Sequence, residues 1–272
     1  MGMQVGGNLD LSSAAIESVI DATNIKIYGE LTLANGLPGG LTPRWGGKSA
    51  LYLRNAQIGA LQDRIEEGMD AWPKTLDLHG CQIGQLGGME GKGKAANMLR
   101  RPVRWWNDWL RRGTAEEYSP QPYQMLAKLF REAGYPTKAN AILFAARCRE
   151  RNRPEGFFQG IWLWLLWASI GFGIGRYFLR HVAFWLIVWT GYGTYRFSQV
   201  EVEEIAKKSL CWKAAASLDR LIPFVEMIPQ LSQTLTKHLT ETQQLYFAIH
   251  SLFGWVLAAL VVAGLAGLTQ KA

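Results

Sequence analysis

Cysteine is scarce and poorly placed for cross-linking. Cys81, Cys148 and Cys211 are odd in number and far apart, which excludes a disulfide framework and suits a reducing compartment for the N-terminal part. No C-x-x-C pair occurs, and the four histidines (79, 181, 238 and 250) lack metal-ligand spacing, so neither a dithiol redox motif nor a metal site is implied. No G-x-G-x-x-G follows a predicted strand. Two glycine-lysine stretches each lack one part of a phosphate loop. GMEGKGKA (88–95) has Ala95 where a hydroxyl should reach Mg²⁺, and PRWGGKS (43–49) has Thr42 in place of the first glycine. No cofactor and no catalytic residue are therefore assigned. The start, MGMQVGGNLDL, has neither a basic region nor an apolar core and does not read as a signal peptide. Gly6 stands where N-myristoylation wants Ser or Thr.

Acidic charge is thin in one block only. Residues 1–90 hold 6 Lys/Arg against 10 Asp/Glu, 91–153 hold 14 against 5, and the rest hold 9 against 7. The net +7 thus belongs to the centre of the chain. A basic block directly before apolar sequence reads as the cytoplasmic side of a membrane protein, where Lys and Arg are retained and attract anionic lipid. Arg100, Arg101, Arg104, Arg111 and Arg112, with Arg176 and Arg180 further on, are the membrane-surface candidates. No stacking motif or basic recognition helix accompanies them, so nucleic acid is not an expected partner.

What the chain does have is repetition. NLDLSSAAIESV (8–19), ELTLANGLPGGL (30–41), ALYLRNAQIGAL (50–61) and TLDLHGCQIGQL (75–86) share an L-x-L start followed by a turn residue. Their first leucines, 9, 31, 51 and 76, recur at the period of a coiled repeat. L-x-L puts two leucines on one face of a short strand, and stacking such strands would bury a leucine column. Residues 1–90 are expected to form a small parallel β-solenoid-like domain. Residues 91–154 follow as a basic helical region. RPVRWWNDWLRR (101–112) predicts a Trp-rich helix. Tyr123, Leu126, Ala127, Phe130, Gly134, Ala139, Leu143 and Ala146 sit at the packing positions of one TPR-like hairpin, expected to cap the solenoid's open end.

Residues 155–272 form the expected membrane domain. LYFAIHSLFGWVLAALVVAGLAGL (245–268) carries no Asp, Glu, Lys or Arg and is long enough to span a bilayer. VAFWLIVWTGYGTY (182–195) is a second, shorter apolar core. FFQGIWLWLLWASIGFGI (157–174), with three tryptophans, suits an interfacial or re-entrant segment as well as a span. Two spans with both termini inside are preferred, with three as the alternative.

The order of L-x-L repeats, DAWPKTLDLHG (70–80), YSPQPYQMLAKLFREAGY (118–135), GFGIGRYFLR (171–180), SLDRLIPFVEM (217–227) and GWVLAALVVAGLAGL (254–268) resembles a family of bacterial membrane proteins with pentapeptide-like repeats. Members often carry the label membrane-associated oxidoreductase. The resemblance implies a multi-pass inner-membrane protein. SLDRLIPFVEM is its most unusual stretch, placing charges and a helix breaker between apolar segments. As a surface helix it would turn Asp219 and Arg220 to water. As a pore or gating element, Asp219, Arg220, Pro223 and Glu226 would be its working residues. The leading expectation is a non-enzymatic interaction or sensing scaffold, homo-oligomeric, with the bilayer and a protein partner at the repeats or hairpin. A cation channel with a pore loop around 209–228 is the alternative, and an oxidoreductase the third.

Overall fold

The computed structural model describes residues 2–35, 42–64, 71–87, 98–113, 118–200, 203–222, 228 and 240–265. The chain divides into two compact units, Met1–Pro154 and Glu155–Ala272. It is a mixed α/β protein with parallel sheets.

In the first unit the chain visits three parallel sheets in turn. The largest holds β1 (Gln4–Val5), β2 (Leu9–Asp10), β5 (Lys26–Asn35), β8 (Gln57–Arg64) and β10 (Gln82–Leu86). Its order is β1-β5-β8-β10, with β2 also beside β5. β3 (Ala15–Ile16) pairs with β6 (Arg44–Trp45), and β4 (Val19–Asp21), β7 (Ala50–Tyr52) and β9 (Thr75–Asp77) form the third sheet.

Like residues stack on like because the pairing is parallel. Val5, Ile27, Ile58 and Ile83 are register partners in sequence, as are Leu9, Leu31, Leu61 and Leu86. In the third sheet Ile20 lies beside Leu51, and Leu51 beside Leu76. The expected single column of Leu9, Leu31, Leu51 and Leu76 is therefore split between two sheets. Both kinds of strand alternate apolar residues toward the same core, so L-x-L marks either one. Burying each leucine contributes about 2 kcal/mol.

One corner of the chain path is stacked as well. Asn24, Asn55 and Gly80 have φ of 60°, 53° and 70°, a left-handed conformation that short polar or side-chain-free residues adopt at least cost. The Asn24 N–H donates to the Arg54 carbonyl and the Asn55 N–H to that of His79, each at 2.8 Å. The residues after each corner, Ile25, Ala56 and Cys81, turn into the core. Burial pushes the Cys81 thiol up to about 12.

Among the described residues this unit also holds the helices α1 (Val103–Leu110), α2 (Gln121–Glu132) and α3 (Pro136–Arg151). α2 and α3 pack as a hairpin, with Gly134 at φ +84° in the turn. Tyr123, Leu126, Phe130, Ala139 and Ala146 join the same core as the strand leucines. Trp72, Trp109, Trp106 and Phe130 run through it in edge-to-face contacts 5.1 to 5.6 Å apart. Gln121 serves the strand edge directly: its amide accepts from the Gly80 N–H at 3.0 Å and donates to the Cys81 carbonyl at 2.9 Å. One side chain thereby supplies both partners that a further strand would have given.

The second unit is helical: α4 (Phe157–Ile170), a 3₁₀ turn (Gly171–Gly173), α5 (Gly175–Ser198), α6 (Glu203–Ala206), α7 (Leu210–Leu221) and α8 (Glu241–Leu265). α4 and α5 meet at 108°. The bend is made by consecutive positive φ values at Gly171, Phe172 and Gly173, and the Trp185 indole ties it by donating to the Ala168 carbonyl at 2.8 Å. α7, started by the Ser209 hydroxyl accepting from the Trp212 N–H, packs on both α5 and α8.

Candidate functional site

The second unit exposes many large apolar side chains. On α4, Phe157, Phe158, Trp162 and Trp164 are exposed, and Phe158 reaches 84 %. On α5, Ile187 is 73 % exposed, and on α8, Leu252 and Val262 are 63 % and 65 % exposed. Inside the same helices a polar group, with His250 and Ser217 0 % exposed and Thr194 buried beside them, lies next to an apolar cluster of Phe197, Val200, Ile205, Ala216 and Phe247. Large apolar side chains exposed along helix faces mark a membrane or interaction surface.

The inner cluster joins three helices. α5 brings Thr190, Thr194 and Trp189, α7 brings Ser217, and α8 brings Tyr246 and His250. The Ser217 hydroxyl donates to the Thr190 carbonyl at 3.0 Å, and the Thr194 hydroxyl donates to the same oxygen at 2.7 Å. His250 Nε2 lies 3.1 Å from the Ser217 carbonyl oxygen, and its Nδ1 lies 3.1 Å from the Tyr246 hydroxyl. A carbonyl only accepts, so Nε2 carries the proton and Nδ1 accepts from Tyr246. Trp189 closes the cluster, stacked on Phe253 at 4.3 Å.

This geometry clamps helices together and does not build a nucleophile. The imidazole faces the Ser217 backbone, and the serine hydroxyl is engaged elsewhere, so the pair is not a Ser–His dyad. Small residues permit the crossings. A Cβ at Gly193 would overlap the Ser217 hydroxyl, and one at Gly254 the Leu221 carbonyl. Gly254 is one of the small residues that the sequence marks for close helix approach. His250 was legible as the only ionisable group of its kind inside the 245–268 stretch, but spacing rules for metal ligands pass over a lone histidine.

The sequence-derived residues fall in several places. Asp219 and Arg220 are half-buried on α7; Asp219 Oδ1 accepts from the Ile228 N–H at 3.2 Å, and Arg220 Nε has no hydrogen-bond partner among the described residues. Pro223 and Glu226 lie outside the described residues, as does GMEGKGKA. α7 is an inner helix of the bundle rather than a solitary surface helix, because Ala216, Ser217 and Leu221 are buried against its neighbours.

The basic block is not one lipid-facing surface. Arg100, Arg104 and Arg111 are exposed, as are Arg176 and Arg180. Arg101 is instead buried: it forms a 2.6 Å ion pair with Asp63, which is itself fully enclosed and also accepts from the Trp72 indole. Arg112 donates to the carbonyls of Trp72 and Pro73 at 3.0 and 3.2 Å. Both thus fix the helical part of the first unit to its sheets.

The first unit carries a cleft of about 700 Å³ between the largest sheet and α2. Gln57, Gly59, Gln82 and Gly84 line it from the sheet, and Gln124 and Lys128 line it from α2. Among the described residues no three His, Cys, Asp or Glu side chains gather to hold a metal. Comparison with family models, with curated proteins and with solved structures found no match.

Proposed function

We propose that this chain is a membrane-anchored, non-enzymatic interaction module. α8 and α5 cross the bilayer, α4 lies along its surface, and the first unit presents a short β-solenoid with its cleft to a protein partner. The observation that carries this reading is the exposed apolar outer face of the second unit. Among the described residues only Glu241–Ala263 is by itself long and apolar enough to cross a bilayer, and 22 % of its most apolar window is buried. The core helix of a soluble protein would be mostly buried. α4 and α5 qualify only as the pair bent by 108°, which suits one interfacial and one crossing segment. At about 1.5 Å per residue the apolar core of α5 at 182–195 is short for a hydrocarbon core of about 30 Å, and Arg180 and Arg196 at its two ends would reach to the headgroups.

Exposed Trp and Phe on α4 fit the headgroup region, where amphipathic rings collect. The buried His, Ser and Thr groups are satisfied by the Thr190 and Ser217 carbonyls and the Tyr246 hydroxyl, as suits polar groups in a lipid-facing bundle. The basic excess of residues 91–153 favours a cytoplasmic first unit in a bacterial inner membrane. Recurrence of the chain through the same three sheets, with the hairpin closing one edge, supports the solenoid.

Washing expressing membranes with alkaline carbonate tests the anchor. The chain stays with the bilayer pellet, and Leu252→Arg on the outer face of α8 shifts it toward the supernatant. Release of the unaltered chain into the wash would overturn the reading.

A further inference from the structure

A second, smaller cleft of about 220 Å³ opens at the stacked corner of the first unit, where Arg54, Asp77, His79, Ser119, Tyr123 and Arg149 line it. Arg54 and His79 sit on successive corners, held in line by the Asn55 N–H to His79 carbonyl bond. Arg149 arrives from the last turn of α3.

Each guanidinium is fixed by one nitrogen. Arg54 Nε donates to Asp77 Oδ2 at 2.5 Å, and Asp77 Oδ1 accepts from the His79 N–H at 2.9 Å. Arg149 Nη1 donates to the Tyr123 hydroxyl at 2.9 Å, with the group 5.8 Å from the Tyr118 ring centre. The remaining N–H groups of both arginines have no hydrogen-bond acceptor among the described residues. Glu150, the carboxylate next in sequence to Arg149, pairs with Arg147 at 2.9 Å instead. Two guanidinium groups and an imidazole therefore line the opening beside the Asp77 carboxylate, with the Asp21 carboxylate also acting on Arg54 through space.

We propose that this cleft binds a phosphoryl group, as inorganic phosphate or as a phosphate monoester. Guanidinium forks match phosphate oxygens in pairs. Two forks from different elements suit a tetrahedral anion, whereas one fork satisfies a planar carboxylate. The volume is below that of drug-sized sites and admits a small charged head with little else. Held by Asp77 and Tyr123, the arginines need little reordering to bind. The site gives the sensing module a ligand class, and it does not depend on membrane insertion, because every residue in it belongs to the first unit.

Calorimetric titration of the full chain in detergent micelles tests the assignment. The probes are inorganic phosphate, glycerol 3-phosphate and vesicles containing phosphatidic acid, with acetate as the planar control. Phosphate or a monoester binds, acetate at the same concentration does not, and Arg54→Gln and Arg149→Gln each weaken binding about tenfold or more. Arg149→Lys, which keeps the charge and loses the fork, falls between. Preference for glycerol 3-phosphate or for the vesicles assigns a soluble or a lipid source. Equal binding of acetate, binding unchanged in both glutamine variants, or no binding of any phosphoryl probe overturns the proposal. Circular dichroism of the variants shows that they remain folded, since both side chains lie at the surface of the corner.

Discussion

Replacing Arg101 by methionine separates a structural arginine from a lipid-binding one. Arg101 Nη1 donates to Asp63 Oδ2 at 3.0 Å and Nη2 to the Asp63 carbonyl at 2.5 Å. The two side chains are 8 % and 0 % exposed, and the guanidinium also lies over the Trp105 ring at 4.3 Å. Arg101→Met keeps the stem volume and leaves the Asp63 carboxylate buried with its charge uncompensated. Breaking a buried pair from one side costs about 3–5 kcal/mol, and losing the ring contact adds about 1 kcal/mol. A total of about 4–6 kcal/mol is large against a domain stability of about 5–15 kcal/mol. With a urea dependence of about 2 kcal/mol per molar, the midpoint should fall by about 2–3 M. Near-UV circular dichroism reads the loss through the edge-packed tryptophans. Adding Asp63→Asn removes the stranded charge, keeps an acceptor for the Trp72 indole, and should restore most of the midpoint. A lipid-facing arginine would behave oppositely, weakening vesicle affinity while stability stayed within about 0.5 kcal/mol. A midpoint unchanged by Arg101→Met would refute the reasoning.

Alkaline pH should weaken the first unit through Cys81. Its thiol is pushed up to about 12 in the fold, so above the ordinary thiol value the unfolded chain loses its proton first, and stability falls as pH rises toward the folded value. The difference between wild type and Cys81→Ala should shrink by about 1.4 kcal/mol per pH unit above ~9; a constant difference in denaturation midpoints across that range sinks the argument. Gln121→Leu strands the Gly80 N–H and the Cys81 carbonyl and should cost about 1–3 kcal/mol in urea titration, whereas a neutral result would mean that α2 does not close the strand edge. Gly254→Val should cost at least about 2 kcal/mol in thermal unfolding in detergent, because its side chain meets the Leu221 carbonyl. Gly191→Ala, with open space around it, should be neutral or stabilising by up to about 1 kcal/mol, and equal losses at both glycines would contradict the crossing.

The corners of the first unit and the positions of its hairpin could be read from the sequence, because turn residues and helical spacing are local signals. The strand register could not. Leu51 and Leu61 both follow L-x-L or apolar alternation, and only the path between them decides that Leu61 continues the column of Leu31 while Leu51 joins Leu76. Arg101 shows a similar limit. Its neighbours in sequence are basic, yet its partner Asp63 lies 38 positions away, so charge clustering along the chain misassigned it to a surface. Ser217 and His250 are separated by 33 residues, and their meeting depends on the packing of α7 that the amphipathic pattern alone had turned toward water. The 108° bend at Gly171–Gly173 was visible as a glycine cluster, but not its angle.

The central claim is that the outer faces of α5 and α8 meet lipid. Nitroxide labels placed singly at Ile187, Val262 and, for comparison, Tyr28, in a chain with its three cysteines replaced, read this in reconstituted vesicles. The account predicts relaxation by oxygen and protection from a water-soluble nickel chelate at 187 and 262, with the reverse at 28. Nickel access at 187 and 262 equal to that at 28 would contradict it.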